Sequence, residues 1–176
     1  MIETNYDYNS GYHEGSIVEQ DALAFLGVFK TIEDVPARYY LENHTSEVTS
    51  EDAWNEYDAQ ELADLSTHTR RYVYGKAYRE WQNYCDEHDV HPALADPQDI
   101  EEHLAEQRDE MEKLKTVHDA RFRPLFRWYR WMQYHAGYPH RYNPVVMAVL
   151  LRGAVHDIWQ TRLFDRKNVP QTQEEN

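Results

Sequence analysis

The chain has 176 residues, 32 acidic against 18 basic side chains, and one cysteine, Cys85. That length suits one domain with extensions and buries a core without staples, and a lone cysteine excludes an internal disulfide. The longest apolar run, Val145 to Leu151, is far short of a membrane span, and the opening MIETNYDYNSGYHEG lacks a secretory signal, so a reducing, cytoplasmic setting is expected. The charge is uneven. Residues 1–68 carry 15 acids against Lys30 and Arg38, whereas residues 119–173 carry Asp119, Asp157 and Asp165 against nine bases. The average argues against nucleic acid as a partner, while the local distribution allows it. Thirteen Arg against five Lys, with abundant Asp and Glu, is a composition of proteins from salt-loving organisms. In strong salt, repulsion between such acidic groups is screened within a few ångströms.

In chain order, residues 1–16 lack a period and read as disordered. Residues 17–30 predict a short amphipathic helix offering Leu23, Phe25, Leu26 and Phe29 for packing. Residues 31–60 hold Pro36 and many acids, and predict one or two helical turns, as at Glu51–Tyr57, with low order between them. Ser66, Thr67 and Thr69 offer caps for a clear helix in which Tyr74, Tyr78, Trp81 and Cys85 form a packing stripe. Gly75 sits inside it, where it costs about 1 kcal/mol relative to Ala. Asp96-Pro97 is an N-cap followed by an N1 proline. The helix it opens, running to about Met111, turns Ile100, Leu104 and Gln107 or Arg108 inward and carries acids outside.

The stretch Lys113 to Pro144 is both periodic and basic. Phe122, Leu125, Phe126, Trp128, Tyr129 and Met132 fall within an arc of about 160° on a helix. Arg123, Arg127 and Arg130 stack on the other face, either as a plain solvated surface or facing phosphates. Pro124 must kink this helix or mark its first turn, and Gly137 stops it. Pro144 opens a last helix that Gly153 interrupts, and in which Val146, Leu150, Ile158 and Leu163 are apolar. No strand pattern and no repeat occurs. The reading is all-α: an acidic, partly disordered extension over 1–60, a helical domain of four to five helices over 61–166, and a polar tail over 167–176.

The ordered set THTRRYVYGKAYREWQNYCDEHDV, DPQDIEEHLAE and TVHDARFRPLFRWYRWMQYHAGYPHRYNP resembles the N-terminal, SAM-like core-binding domain of the tyrosine recombinase (phage-type integrase) family. Thr69 leads the first helix, Trp81 and Tyr84-Cys85 close it, and Asp96 to Ile100 stands for the family's acidic turn. Leu125, Trp128-Tyr129, Trp131-Met132, Gly137 and Asn143-Pro144 stand for the last part. The likeness covers about residues 66–146. The Thr116 to Leu125 spacing is one residue longer than the family pattern. Only 32 residues follow Pro144, too few for the family's catalytic domain, so a stand-alone module or a fragment of a recombinase is expected. The resemblance implies half of a clamp around duplex DNA, with contacts from Arg70, Lys76, Arg79, Lys113, Lys115, Thr116, Arg121, Arg123, Arg127 and Arg130. Arginine and lysine would neutralise phosphates, and Thr116 at a helix start would add N–H donors.

No catalytic residue, metal or cofactor is expected. His118-x-x-Arg121 matches the family's catalytic His-x-x-Arg in letters, but lies in the wrong domain. His88-x-x-His91 near Cys85 and Asp86 lacks the four well-spaced ligands of a zinc site. Trp128 reads as core and Trp131 as border, though either type of ring can stack bases of single strands. The expected function is a non-catalytic duplex-DNA-binding module of a mobile element or virus, with a recombinase or a second copy as further partners. No membrane or small-molecule partner is expected. The rival is a protein-interaction adaptor that uses the acidic N-terminal third to bind a basic partner or to mimic DNA.

Overall fold

A computed structural model describes residues 16–163. The expected disorder of 1–16 and the polar tail lie, but for Ser16, outside these residues. Among them the chain is all-helical, with no strand.

Helix α1, Ser16–Phe25, buries Val18 and Ala22, four residues apart, and leads into buried Leu26. It ends five residues before the expected Lys30. Gly27, a poor helix former, follows its end, and the Lys30 ammonium donates to the Leu26 carbonyl (3.1 Å), one of the acceptors a helix end leaves open.

Residues 31–60 are better built than their composition suggests. Short 3-10 turns at Ile32–Asp34, Ala37–Tyr39 and Leu41–His44 bring Val35, Leu41 and Val48 into the core. The buried Leu41 N–H donates to the Tyr142 hydroxyl (3.0 Å), a tie across the whole fold. Helix α2, Ser50–Glu61, then buries Ala53, Trp54 and Tyr57. The expectation of low order here is corrected. Apolar residues spaced too irregularly for one helix stripe still reach one core when turns redirect the chain between them.

A π-helical segment, Thr69–Gly75, runs into α3, Lys76–His88. Ser66 begins it by accepting from the Thr69 N–H (3.2 Å). The stripe Tyr74, Tyr78, Trp81 and Cys85 is buried as its spacing requires. Helix α4, Pro97–Glu110, has the cap its sequence announces, Asp96 accepting from the Asp99 N–H (3.0 Å) and Asp99 from the Asp96 N–H (3.1 Å). It buries Ile100, Leu104 and Gln107 as expected, and also His103.

The long basic helix is three segments in sequence: α5, Leu114–Val117; a π-helical turn, His118–Phe122; and α6, Arg123–Tyr134. Pro124 explains the break in register. It has no N–H for the Ala120 carbonyl four residues back, and its ring crowds that oxygen. The Arg121 guanidinium donates to that carbonyl instead (3.0 Å). The six apolar residues from Phe122 to Met132 are all at most 5% exposed. Beyond Gly137, buried Asn143 caps α7, Pro144–Met147, by accepting from the Val145 N–H (3.0 Å). The last helix breaks at Arg152, in a left-handed conformation (φ 60°), and Gly153, before resuming as α8, Ala154–Leu163.

One core runs from Val18 to Trp159. Trp54 of α2 stacks on Tyr78 of α3 (4.4 Å between ring centroids) and meets the edge of Trp128 of α6 (5.3 Å). Phe25 of α1 packs edge-on against Phe126 and Trp159. Residues 16–60 are therefore continuous with the helical domain in their packing.

Candidate nucleic-acid interface

The two π-helical segments touch each other where α3 and α6 begin. Such segments are local departures from α register that often accompany functional sites. The basic residues around them fall into three settings.

Arg121 is withdrawn from the surface. It is 6% exposed, and its Nε donates to the Gln107 side-chain oxygen (2.7 Å). Burial pulls its pKa below the usual guanidinium value, partly offset by Glu80 and Glu110. This corrects its place among the DNA contacts, because it holds α4 to the π turn. The signal was in the spacing: Arg121 precedes buried Leu125 by four residues and so shares the apolar face.

Arg70, Lys115 and Arg123 have carboxylate neighbours. Arg70 donates to both oxygens of Asp58 (2.8 and 2.7 Å). Asp119 lies 3.7 Å from Lys115 and 3.8 Å from Arg123, and also takes His118 Nδ1 (2.8 Å). Arg123 Nε is buried without a hydrogen-bond partner. The Thr116 and Val117 N–H groups both donate to the Lys113 carbonyl, so neither is left for a phosphate.

Lys76, Arg79, Lys113, Arg127 and Arg130 are exposed. Arg127 donates to the hydroxyl of buried Tyr74 (2.8 Å), and Arg130 lies over the Phe126 ring (5.0 Å). Both partners are neutral, and among the described residues neither guanidinium makes an ion pair, although Glu61 lines the same depression as both. Two neighbouring depressions share Leu65 as a common border. One is edged by Arg70, Arg71 and Arg79, the other by Arg127 and Arg130. Arg71, exposed beside Arg70, was missed in the sequence, as were Tyr57 and Tyr74, which line the second depression. Their role depends on contacts between distant segments and leaves no local pattern.

The remaining sequence candidates are accounted for by packing. His118 stacks on Phe122, and burial lowers its pKa. His91 bonds through Nε2 to the Val48 carbonyl (3.0 Å) and through Nδ1 to the Ala93 N–H (3.1 Å), while Cys85 is buried. Among the described residues, no group of three or more His, Cys, Asp or Glu is placed to hold a metal, and no helix is long and apolar enough to cross a membrane. Trp128 is fully buried and Trp131 half-buried, as its border position implied. Compared with protein-family models, with curated proteins and with solved structures, the chain matches none.

Proposed function

We propose that the chain is a non-catalytic duplex-DNA-binding module related to the SAM-like core-binding domain of tyrosine recombinases. The observation that carries this is that Arg127 and Arg130 rest on neutral partners and make no ion pair among the described residues, beside a second depression edged by Arg70, Arg71 and Arg79. Guanidinium groups so held can pair with phosphate oxygens at little cost in side-chain freedom. The order of helices supports the same reading. A π turn takes up one residue more than an α turn, and His118–Phe122 falls inside the Thr116 to Leu125 interval that is one residue long for the family.

Arg123 is a poor probe of this face because it is tied to Asp119. The informative variant is Arg127→Glu with Arg130→Glu. Fluorescence anisotropy with duplex DNA, from low salt to molar KCl, is expected to show at least a tenfold loss of affinity, while circular dichroism keeps its helical signal. Unchanged affinity removes DNA from this face.

The adaptor reading is favoured by a different feature. A depression of about 750 Å³ has Leu41, Val90 and Leu94 in its lining and Glu42, Asp89, Asp96 and Asp99 among its polar groups. Its charge suits a basic protein segment. Binding of a basic partner by a folded chain that ignores DNA at every salt concentration selects that function.

A further inference from the structure

The depression edged by Arg127 and Arg130 is more than a charged surface. It is an open hollow of about 490 Å³ between α2, the Thr69–Gly75 segment and α6, a volume in the range of small-molecule sites. Trp131 and Tyr134 supply aromatic faces along its wall, and Tyr134 is 80% exposed. A tyrosine so exposed contributes little to the fold and presents its ring to whatever enters.

Tyr57 is the second observation. Its side chain lines the same hollow and is only 3% exposed, and its hydroxyl makes no hydrogen bond among the described residues but is not sealed from solvent. A hydroxyl that solvent reaches from the hollow can donate to a ligand there in place of water. Tyr74, Arg127, Glu61 and Arg130 line the hollow with it. Burial pushes its pKa well above the usual phenol range, so it stays protonated and donates.

We infer that this hollow takes a single nucleotide swung out of the DNA, with its base against Tyr134 and Trp131 and its phosphate between Arg127, Arg130 and the Tyr57 hydroxyl. The inference rests on the reading of DNA as the ligand, and adds which form of DNA is preferred. Every base has a face that can stack, so the stacking alone tolerates any sequence. The one carboxylate at the rim, Glu61, can accept from an exocyclic amine, which adenine, cytosine and guanine carry on their base edges and thymine does not. Among single unpaired nucleotides, thymine should therefore be the weakest guest.

The test compares two short duplexes by anisotropy, one fully paired and one identical except for a single unpaired adenine. The unpaired form is expected to bind about tenfold more tightly, in keeping with stacking of one base on an aromatic side chain. The ratio of the two affinities should fall toward one in Tyr134→Ala and shrink in Tyr57→Phe. Neither change threatens the core, since Tyr134 is exposed and phenylalanine keeps the Tyr57 ring. Equal binding of the two duplexes overturns the nucleotide site and leaves the DNA-binding face standing. A preference that survives both substitutions also overturns it, because an unpaired base makes DNA easier to bend and can be favoured without entering any pocket. Binding of neither duplex by the folded chain overturns the DNA reading and the inference together. A phosphotyrosine peptide shares the aromatic-plus-phosphate chemistry, and its capture in preference to the unpaired duplex reassigns the hollow to a protein ligand.

Discussion

His103 and His140 show how far burial can override a residue's ordinary chemistry. His103 is 1% exposed, and neither ring nitrogen has a partner. It lies against Trp81 and Tyr84, and burial, with Arg121 and His88 nearby, lowers its pKa from 6.5 to about 3. His140 donates from Nε2 to the Ala93 carbonyl (2.7 Å), yet burial lowers its pKa to about 4. Both are neutral when folded but take a proton below about pH 6.5 when unfolded. Acid therefore favours the unfolded chain, and stability falls as pH drops from about 6.5 to 4, by up to about 3 kcal/mol for each histidine. Asp99 works in the opposite sense. Burial raises its pKa to about 6, so folding gains from its protonation between pH 6 and 3.8 and offsets part of the loss. Urea midpoints measured across this range are expected to decline toward acid, and more shallowly in His103→Leu, which removes one titrating group and two unpaired polar atoms. An identical pH slope in that variant would show that His103 does not titrate as its burial implies.

At the scale of elements, the junctions between helices carry most of what composition conceals. The outer face of α4 looks solvated in sequence, but Glu101 turns to α8 and accepts from the Ala154 N–H and, at 3.0 Å, the Val155 N–H. A carboxylate there satisfies two open donors and meets the positive end of the helix dipole. Gly153 is required beside it, because a Cβ at that position would run into the Glu101 carboxylate. Glu101→Ala is expected to cost about 1–2 kcal/mol in urea unfolding, with Glu101→Gln recovering part of it. Gly153→Ala should cost a similar amount by displacing the same carboxylate. A Glu101→Ala chain as stable as the parent would mean that water replaces the cap without loss.

For the whole molecule, the decisive fact is that residues 18–62 share one core with α3 to α8. Deleting residues 1–60, attractive from sequence as a way to separate an acidic arm from a DNA-binding domain, removes Leu41, Trp54 and Tyr57 from that core. Loss of one large buried aromatic costs about 3–5 kcal/mol, against a total stability of about 5–15 kcal/mol for a typical domain. The truncated chain is expected to lose cooperative unfolding and near-ultraviolet dichroism while keeping some helical signal. Cooperative unfolding of that truncated chain would establish the arm as separable after all. The role of the acidic surface is better read from charge substitutions at Glu42 and Asp89, both exposed, which leave the core intact.

Local pattern alone determined the helical class, the Asp96 cap, the helix opened at Pro144, the break near Gly153 and the aromatic stripes of α3 and α6. Each depends on residues within a turn or two of one another, where spacing and backbone geometry leave little choice. Tertiary structure alone decided that Arg121 is buried, that Asp119 occupies Lys115 and Arg123, and that Glu101 serves α8. It also gathered Tyr57, Tyr74, Arg127, Arg130, Trp131 and Tyr134 around one hollow. Those outcomes turn on which face of one helix meets a partner from a distant part of the chain. The π turns before α3 and α6 shift the facing residues further, by a register change that a fixed helical period does not contain.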